Sequence, residues 1–389
     1  MEREAVIVAG ARTAIGRQGG ALASVPAHVF GAEVIKEVVN RSNLEPEMID
    51  DVIFGNVLSG GGNIARLTAL ETELSLNFPG LTVDRQCGSG INAAMLAAQA
   101  VKSGAGDVYI AGGIESMSRA PYLMDRAERP YDAALPKFRK SQLSPERIGN
   151  PPMGITAENL AKKYNISREE QDEFALASQQ KMAAAMEAGR FNEQIVPISI
   201  PQRKGEPVIF EKDEHPRPQS SMKGLAKLKP AFAADGSVTA GNSSGLNDAA
   251  SALVIMSKEK AEELGLAPLA FIRESAVGGI DPNIMGIGPV PAIKKVMGNY
   301  GLDLNDMDLI ELNEAFAAQV IACDRELNFN SEILNVNGGA IAHGHPLGAT
   351  GAILLTKAVY ELQRMEGKHA LITACIGGGQ GIAMIIERN

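Results

Sequence analysis

One pattern occurs twice in this chain of 389 residues. In the first half Cys87, Gly88 and Gly90 lead into an Ala-rich helical stretch, and Asp107-Val-Tyr-Ile-Ala-Gly-Gly follows. In the second, Gly338-Gly339, Gly348 and Gly351 lead into the apolar stretch 352–362, and His369-Ala-Leu-Ile-Thr-Ala-Cys375 follows. Loop, helix, strand and glycine recur in one order. Such self-similarity points to an internal duplication and places a site between two related halves.

Around the repeat, strand and helix patterns alternate. Residues 5–9 and 51–54 read as strands, 27–40 and 91–102 as helices with Gly104 as a stop, and 107–111 as a buried strand. This order predicts a layered α/β fold. From Ser116 to about Gly245 the chain turns Pro-rich, charged and polar, with one clear helical stretch at 168–188. That length is an insertion with structure or function of its own, since plain linkers are shorter. Alternation resumes at 249–256.

The formal net charge is −9, with no dense Lys/Arg run, which argues against a nucleic-acid partner. Three cysteines do not make a disulfide framework; free thiols suit a reducing compartment. No apolar run reaches membrane-spanning length, no leader pattern precedes the first strand, and I-I-E-R-N is no peroxisomal address. The expectation is a cytoplasmic protein with no membrane contact. Neither C-x-x-C, H-E-x-x-H nor a Walker sequence occurs, so no metal site is expected.

Two cysteines sit in glycine clusters: Cys87 in D-R-Q-C-G-S-G and Cys375 in A-C-I-G-G-G-Q-G. Glycines beside a thiol let backbone N–H groups approach whatever the sulfur attacks. Cys87 just before a helix meets unpaired N–H groups and a positive dipole end, so its pKa is expected to fall. Cys323 has no such setting. His345, in H-G-H-P, is the candidate base for Cys87. His343 reads as a neighbour that tunes or packs, and His28, His215 and His369 as surface or packing residues. Asn313, in L-N-E-A-F, could orient a water or serve an oxyanion; it reads equally well as the cap of a helix at 314–325. Ser243-Ser244-Gly245 could let a ligand pass the backbone, although a plain turn explains them locally.

Together these motifs resemble the thiolase family over essentially the whole chain. V-I-V-A-G-A-R-T, D-R-Q-C-G-S-G, G-G-I-E-S-M-S, M-G-I-T-A-E-N, V-T-A-G-N-S-S-G-L-N-D, N-E-A-F, G-G-A-I-A-H-G-H-P-L-G-A-T-G and C-I-G-G-G-Q-G appear in family order and spacing. The resemblance implies a five-layered αβαβα fold of two duplicated halves, each with a five-stranded sheet, and an inserted loop domain. The divisions are 1–115 plus 246–268, 116–245 and 269–389. It implies ping-pong acyl transfer between coenzyme A thioesters, with no tightly bound cofactor and CoA as substrate or product. Cys87 would carry the acyl group. His345 would take its proton and, with a water held by Asn313, form one oxyanion hole. Cys375 would remove the α-proton, and the N–H groups of Cys87 and Gly377 would form a second hole. Ser244 would contact the pantetheine arm, Arg217 the adenine or phosphates, and Phe232 and Ala240 the tunnel. Met153, Met285 and Phe316 would flank the acyl pocket. A homodimer or homotetramer is implied.

The chain departs from the family pattern in places. Pro152 stands where many biosynthetic members have His, a histidine that degradative 3-ketoacyl-CoA thiolases often lack, which implies a pocket open to longer chains. Gly224 replaces a Ser near the CoA, His343 a commonly apolar residue, and 122–149 does not resemble the tetramerisation loop of the biosynthetic enzymes. The first reading is an acetyl-CoA C-acetyltransferase joining two acetyl-CoA into acetoacetyl-CoA and CoA; its rival is a 3-ketoacyl-CoA thiolase of fatty acid β-oxidation. Decarboxylating ketoacyl synthases pair cysteine with two histidines, which Cys375 argues against. A non-enzymatic CoA- or lipid-binding scaffold is disfavoured because every reacting residue is present.

Overall fold

The computed structural model describes residues 3–59, 62–127, 129, 137–139 and 141–389. Part of the segment 122–149 therefore lies outside the described residues. The main sheet runs in the order Leu309–Leu312, His369–Ile376, Gln380–Glu387, Ala270–Gly279, Ala5–Thr13, Asn247–Ser257, Val108–Ser116, Asp51–Gly55, Leu81–Val83.

Read outward from its centre, this order is one pattern laid down twice. Ala5–Thr13 pairs antiparallel with Asn247–Ser257, which pairs antiparallel with Val108–Ser116; parallel pairings to Asp51–Gly55 and Leu81–Val83 follow. On the other side Ala270–Gly279 pairs antiparallel with Gln380–Glu387, which pairs antiparallel with His369–Ile376; a parallel pairing to Leu309–Leu312 follows. The last position is a single parallel bridge, Ile310 to Leu334. The second half thus has four strands and a bridge where five strands were expected. Among the described residues the strands of the two halves pair with each other through Val6–Phe271 and Ile7–Ala270.

Alternation along the strands creates the layers. Val254 and Met256 face one apolar cluster while Leu253 and Ile255 face another; likewise Ile372 and Ala374 face the inner cluster and Leu371 an outer one. Helix Ala27–Arg41 covers the first outer face and helices Pro289–Tyr300 and Ala317–Leu327 the second. Ser89–Ser103 and Leu347–Met365 fill the middle, apolar on nearly every side as a helix between two sheets must be. A Cβ on Gly90 would lie 2.5 Å from the Ala352 nitrogen, and one on Gly351 2.3 Å from that of Ile91. Only glycine permits this approach of the two helix starts.

The expected elements are present, several of them longer. The stretch read at 91–102 begins at Ser89 and ends at Gly104 with φ 75°, and the strand read at 107–111 extends to Ser116. Arg168–Glu187 opens on a capping box in which Ser167 and Glu170 satisfy each other's backbone N–H. The region after Ser116 also holds helix Met153–Lys163, which its polar composition concealed. A buried ion pair, Arg12 to Asp213 at 2.8 Å, ties this region to the strand Ala5–Thr13.

Candidate active site

Cys87 lies two residues before the first residue of one central helix, and His345 two residues before that of the other. The glycine contact brings these helix starts together. Gln86 adopts φ 47°, an uncommon conformation for a residue with a side chain. A local ring of hydrogen bonds holds it there. Asp84 Oδ1 accepts from Gln86 N (2.8 Å), Ser89 Oγ donates to Gln86 O (2.6 Å) and Arg85 N donates to Ser89 Oγ (2.8 Å). Arg85 also reaches the other half, donating to Gln380 Oε1 at 3.2 Å. Cys87 is thereby left half-buried at a sharp turn.

The electrostatics of Cys87 correct the sequence reading. Burial pushes its thiol up to about 11, although the Gly377 N–H donates to the sulfur and opposes the shift. Desolvation penalises the thiolate more than the nearby N–H groups stabilise it. At neutral pH the nucleophile is a thiol that needs a base as it reacts.

His345 is buried, and burial holds its pKa down to about 4, so the imidazole is neutral. Its tautomer follows from Thr350. The Thr350 hydroxyl donates its only proton to Pro346 O (2.9 Å). It must therefore accept at its 2.7 Å contact with His345 Nδ1. The proton sits on Nδ1 and the lone pair on Nε2, where Asn313 Nδ2 approaches to 3.4 Å. Asn247 Oδ1 accepts from the His345 N–H at 2.9 Å and fixes the backbone. Asn313 does not cap a helix; the next one starts at Ala317 with Phe316 at its cap position. The buried Asn313 Oδ1 has no partner, so the amide keeps unused capacity for a ligand.

Cys375 is the last residue but one of the strand His369–Ile376 and is fully buried. Burial raises its pKa well above the usual value, and the neighbouring Cys87 charge raises it further. It packs in one apolar cluster with Met153, Met285 and Phe316. The three residues expected around an acyl group thus meet at the second thiol, joined by Ala157, Val238 and Ala315. Cys323 is separate, fully buried in its helix, with its thiol pushed up to about 12 by burial.

Arg217 and Ala240 line a cavity of about 230 Å³ together with Gly224, Gln179 and His215. Ser244 and Phe232 fall with the apolar cluster instead of on this wall. Ser244 N donates to Ala315 O at 3.0 Å, and the Phe232 ring meets Phe316 edge-on at 6.0 Å. His215, read as a surface or packing residue, belongs to the cavity. His28 pairs with Glu71 and His369 contacts Asp306 O, in keeping with bland roles.

Sequence reasoning missed the carboxylates that hold the loops. Glu115 accepts from the N–H groups of Val57, Leu58, Ser59 and Gly348, from Ser59 Oγ and from Asn56 Nδ2. Through Gly348 it joins the first half to the helix carrying Thr350. Glu314 accepts from Ser178 Oγ, Asn335 Nδ2 and Ile341 N, and so fixes the loop before His343. The signal was an acidic residue near or just past the C-terminal end of an apolar strand. Buried His343 donates Nδ1–H to Gly344 O at 2.8 Å, while burial, Lys357 and Arg12 keep it neutral.

Among the described residues no cluster of three or more His, Cys, Asp or Glu could hold a metal, and no helix is long and apolar enough to cross a membrane.

Known proteins resemble this chain end to end in sequence and fold. Residues 5–259 match the thiolase N-terminal domain and 266–388 the thiolase C-terminal domain. The chain is 48% identical over 392 residues to an acetyl-CoA acetyltransferase of Pseudomonas aeruginosa, covering 100% of both proteins. To one from Escherichia coli it is 48% identical, covering 99% of each. The crystal structure of the Bacillus anthracis acetyl-CoA acetyltransferase superposes with TM-score 0.96 at 44% identity, covering 100% of this chain and 99% of that one. Human mitochondrial 3-ketoacyl-CoA thiolase in complex with CoA gives 0.93 at 42%, covering 100% and 98%. With both duplicated halves matched over their full length, this chain belongs to the thiolase family.

Proposed function

We propose that the protein is an acetyl-CoA C-acetyltransferase that joins two acetyl-CoA into acetoacetyl-CoA and CoA, and runs the reverse thiolysis. The observation that carries this reading is the pairing of two thiols across the halves, with a neutral imidazole whose free lone pair is fixed on Nε2 by Thr350. Relatives at 45–48% identity bearing the acetyltransferase name favour it over the long-chain alternative.

In the first half-reaction Cys87 sulfur attacks the thioester carbonyl while its proton passes to His345 Nε2. The transfer accompanies attack, because the free thiol is too weak an acid and the imidazole too weak a base to exchange the proton beforehand. The carbon–sulfur bond to CoA breaks, and the leaving thiolate takes the Cys375 proton. The acetyl-enzyme then holds an imidazolium and a Cys375 thiolate, two charges that offset each other in a buried site. In the second half-reaction Cys375 takes the α-proton of a second acetyl-CoA. The carbanion attacks the acetyl carbonyl, a carbon–carbon bond forms, and Cys87 leaves and recovers its proton from His345. All three groups end as they began. The N–H groups of Cys87 and Gly377 are assigned to the acyl oxygen on Cys87, and His345 with a water held by Asn313 to the other thioester oxygen.

Arg217, Ala240, Ser244 and Phe232 are assigned to CoA, and Met153, Met285 and Phe316 to the acyl group. The inserted segment 116–245 serves as the CoA-binding part, between halves 1–115 plus 246–268 and 269–389. We place the enzyme in the cytoplasm as a homodimer or homotetramer, with acyl-CoA as its partner and no tightly bound cofactor. The short outer strand Leu81–Val83, with Leu67, Leu74 and Leu76 exposed, is the edge a second copy would cover. The deciding experiment is kcat/KM for thiolysis across 3-ketoacyl chain lengths. Preference for acetoacetyl-CoA is expected; a clear preference for long chains would overturn the acetyl reading in favour of fatty acid breakdown.

A further inference from the structure

The Arg217 cavity contains an imidazole with no assigned role. His215 lines it beside Arg217, with its ring against the Gly245 backbone, where even a Cβ would meet it at 2.1 Å. Gln179, on the same wall, is already committed: Oε1 accepts from Arg217 N at 2.8 Å and Nε2 donates to Ile341 O at 3.1 Å. The Arg217 guanidinium has no carboxylate partner among the described residues. His215 likewise makes no hydrogen bond among them, and its Nδ1 is buried without a partner.

These facts settle the form of the ring. Burial, Arg217 and Arg17 hold the His215 pKa down to about 4, so at neutral pH it carries one proton. A buried N–H without an acceptor is costly, which disfavours the proton on Nδ1. It resides on Nε2, the nitrogen left to face the cavity. The wall therefore offers a fixed cation and a neutral N–H donor side by side, a pair suited to an anionic oxygen.

We propose that His215 is a specificity-determining residue: its Nε2–H donates to a phosphate oxygen at the nucleotide end of the CoA substrate, next to Arg217. Through this contact the enzyme distinguishes complete CoA from carriers that end at pantetheine. The proposal rests on the reading that CoA thioesters are the substrates.

The test compares CoA with pantetheine as acyl acceptor in acetoacetyl-CoA thiolysis by the full-length protein. His215→Phe keeps a flat ring against Gly245 and removes the donor; His215→Gln keeps an N–H near the Nε2 position. His215→Phe should raise KM for CoA about tenfold, the loss typical of a hydrogen bond to a charged group. KM for pantetheine and kcat should stay within about twofold of the unmutated enzyme, and His215→Gln should recover most of the CoA affinity. An unchanged KM for CoA, or equal rises for both acceptors, would overturn the proposal while the acetyltransferase reading stands. An unmutated protein without thiolysis would overturn both.

Discussion

Thr350→Val isolates the tautomer argument. Valine matches threonine in shape and removes only the hydroxyl, which is fully buried and accepts from His345 Nδ1 at 2.7 Å. Two outcomes are open to the imidazole. It can keep Nδ1–H without an acceptor, which costs about 1–3 kcal/mol for a buried donor. Or the proton can move to Nε2, where it faces the Asn313 amide donor at 3.4 Å and no lone pair remains for the Cys87 proton. Both reduce the population able to act as base. Since about 1.4 kcal/mol is a factor of ten, kcat for acetoacetyl-CoA thiolysis should fall about 10- to 100-fold. KM for CoA should change by less than about twofold, because Thr350 is not on the cavity wall. Thr350→Ser, which restores the oxygen, should recover most of the rate. A Thr350→Val enzyme with normal melting temperature and kcat within about twofold of the unmutated enzyme would refute the reasoning.

Three further outcomes follow from the same geometry. Brief iodoacetamide treatment should label Cys87 ahead of Cys323, and its rate should climb about tenfold per pH unit from 7 to 9, since the thiolate fraction rises toward a pKa of about 11; peptide mapping with a flat profile would contradict the raised pKa. His343 and His345 are buried with pKa values below the usual 6.5, so the unfolded chain binds more protons as pH drops below 6.5. Stability should therefore fall from pH 6.5 toward 4, by up to about 1.4 kcal/mol per pH unit per histidine; His343→Leu should flatten the dependence of melting temperature on pH, and an unaltered slope would exclude that histidine. Glu115→Gln leaves N–H groups facing an amide that accepts at one atom only, and should cost about 3 kcal/mol in denaturant unfolding; a loss below about 1 kcal/mol would show that the cradle is not strained by it.

The sequence carried the duplication, the two thiols and His345 because glycines and alternation mark them locally. Met153, Met285 and Phe316, named through the family resemblance, do share one cluster with Cys375. What the sequence could not carry depends on distance along the chain. Thr350 reads as an ordinary helix residue until the Pro346 carbonyl takes its proton. Glu115 gains its partners from Val57 to Ser59 on one side and from Gly348 on the other. The expected lowering of the Cys87 pKa failed because a helix start was weighed without the burial around it. His215 looked bland in a charged loop, and only the packed insertion shows it beside Arg217. The helix Met153–Lys163 is hard to read from sequence because small and polar residues build much of its buried side: Gly154, Thr156 and Ala157 lie there with Leu160 and Ala161.

The central claim is that Cys87 carries the acetyl group and Cys375 moves the α-proton. It is tested most directly by mixing the protein with acetyl-CoA, quenching in acid and mapping the modified peptide by mass spectrometry. The account predicts one acetyl group on Cys87, none on Cys323 or Cys375, and none at all in Cys87→Ser treated for the same brief time. In Cys375→Ser the acetyl-enzyme should persist, because the second half-reaction lacks its base. Acetylation on another residue, or an unmodified Cys87 in a protein that still cleaves acetoacetyl-CoA, would contradict it.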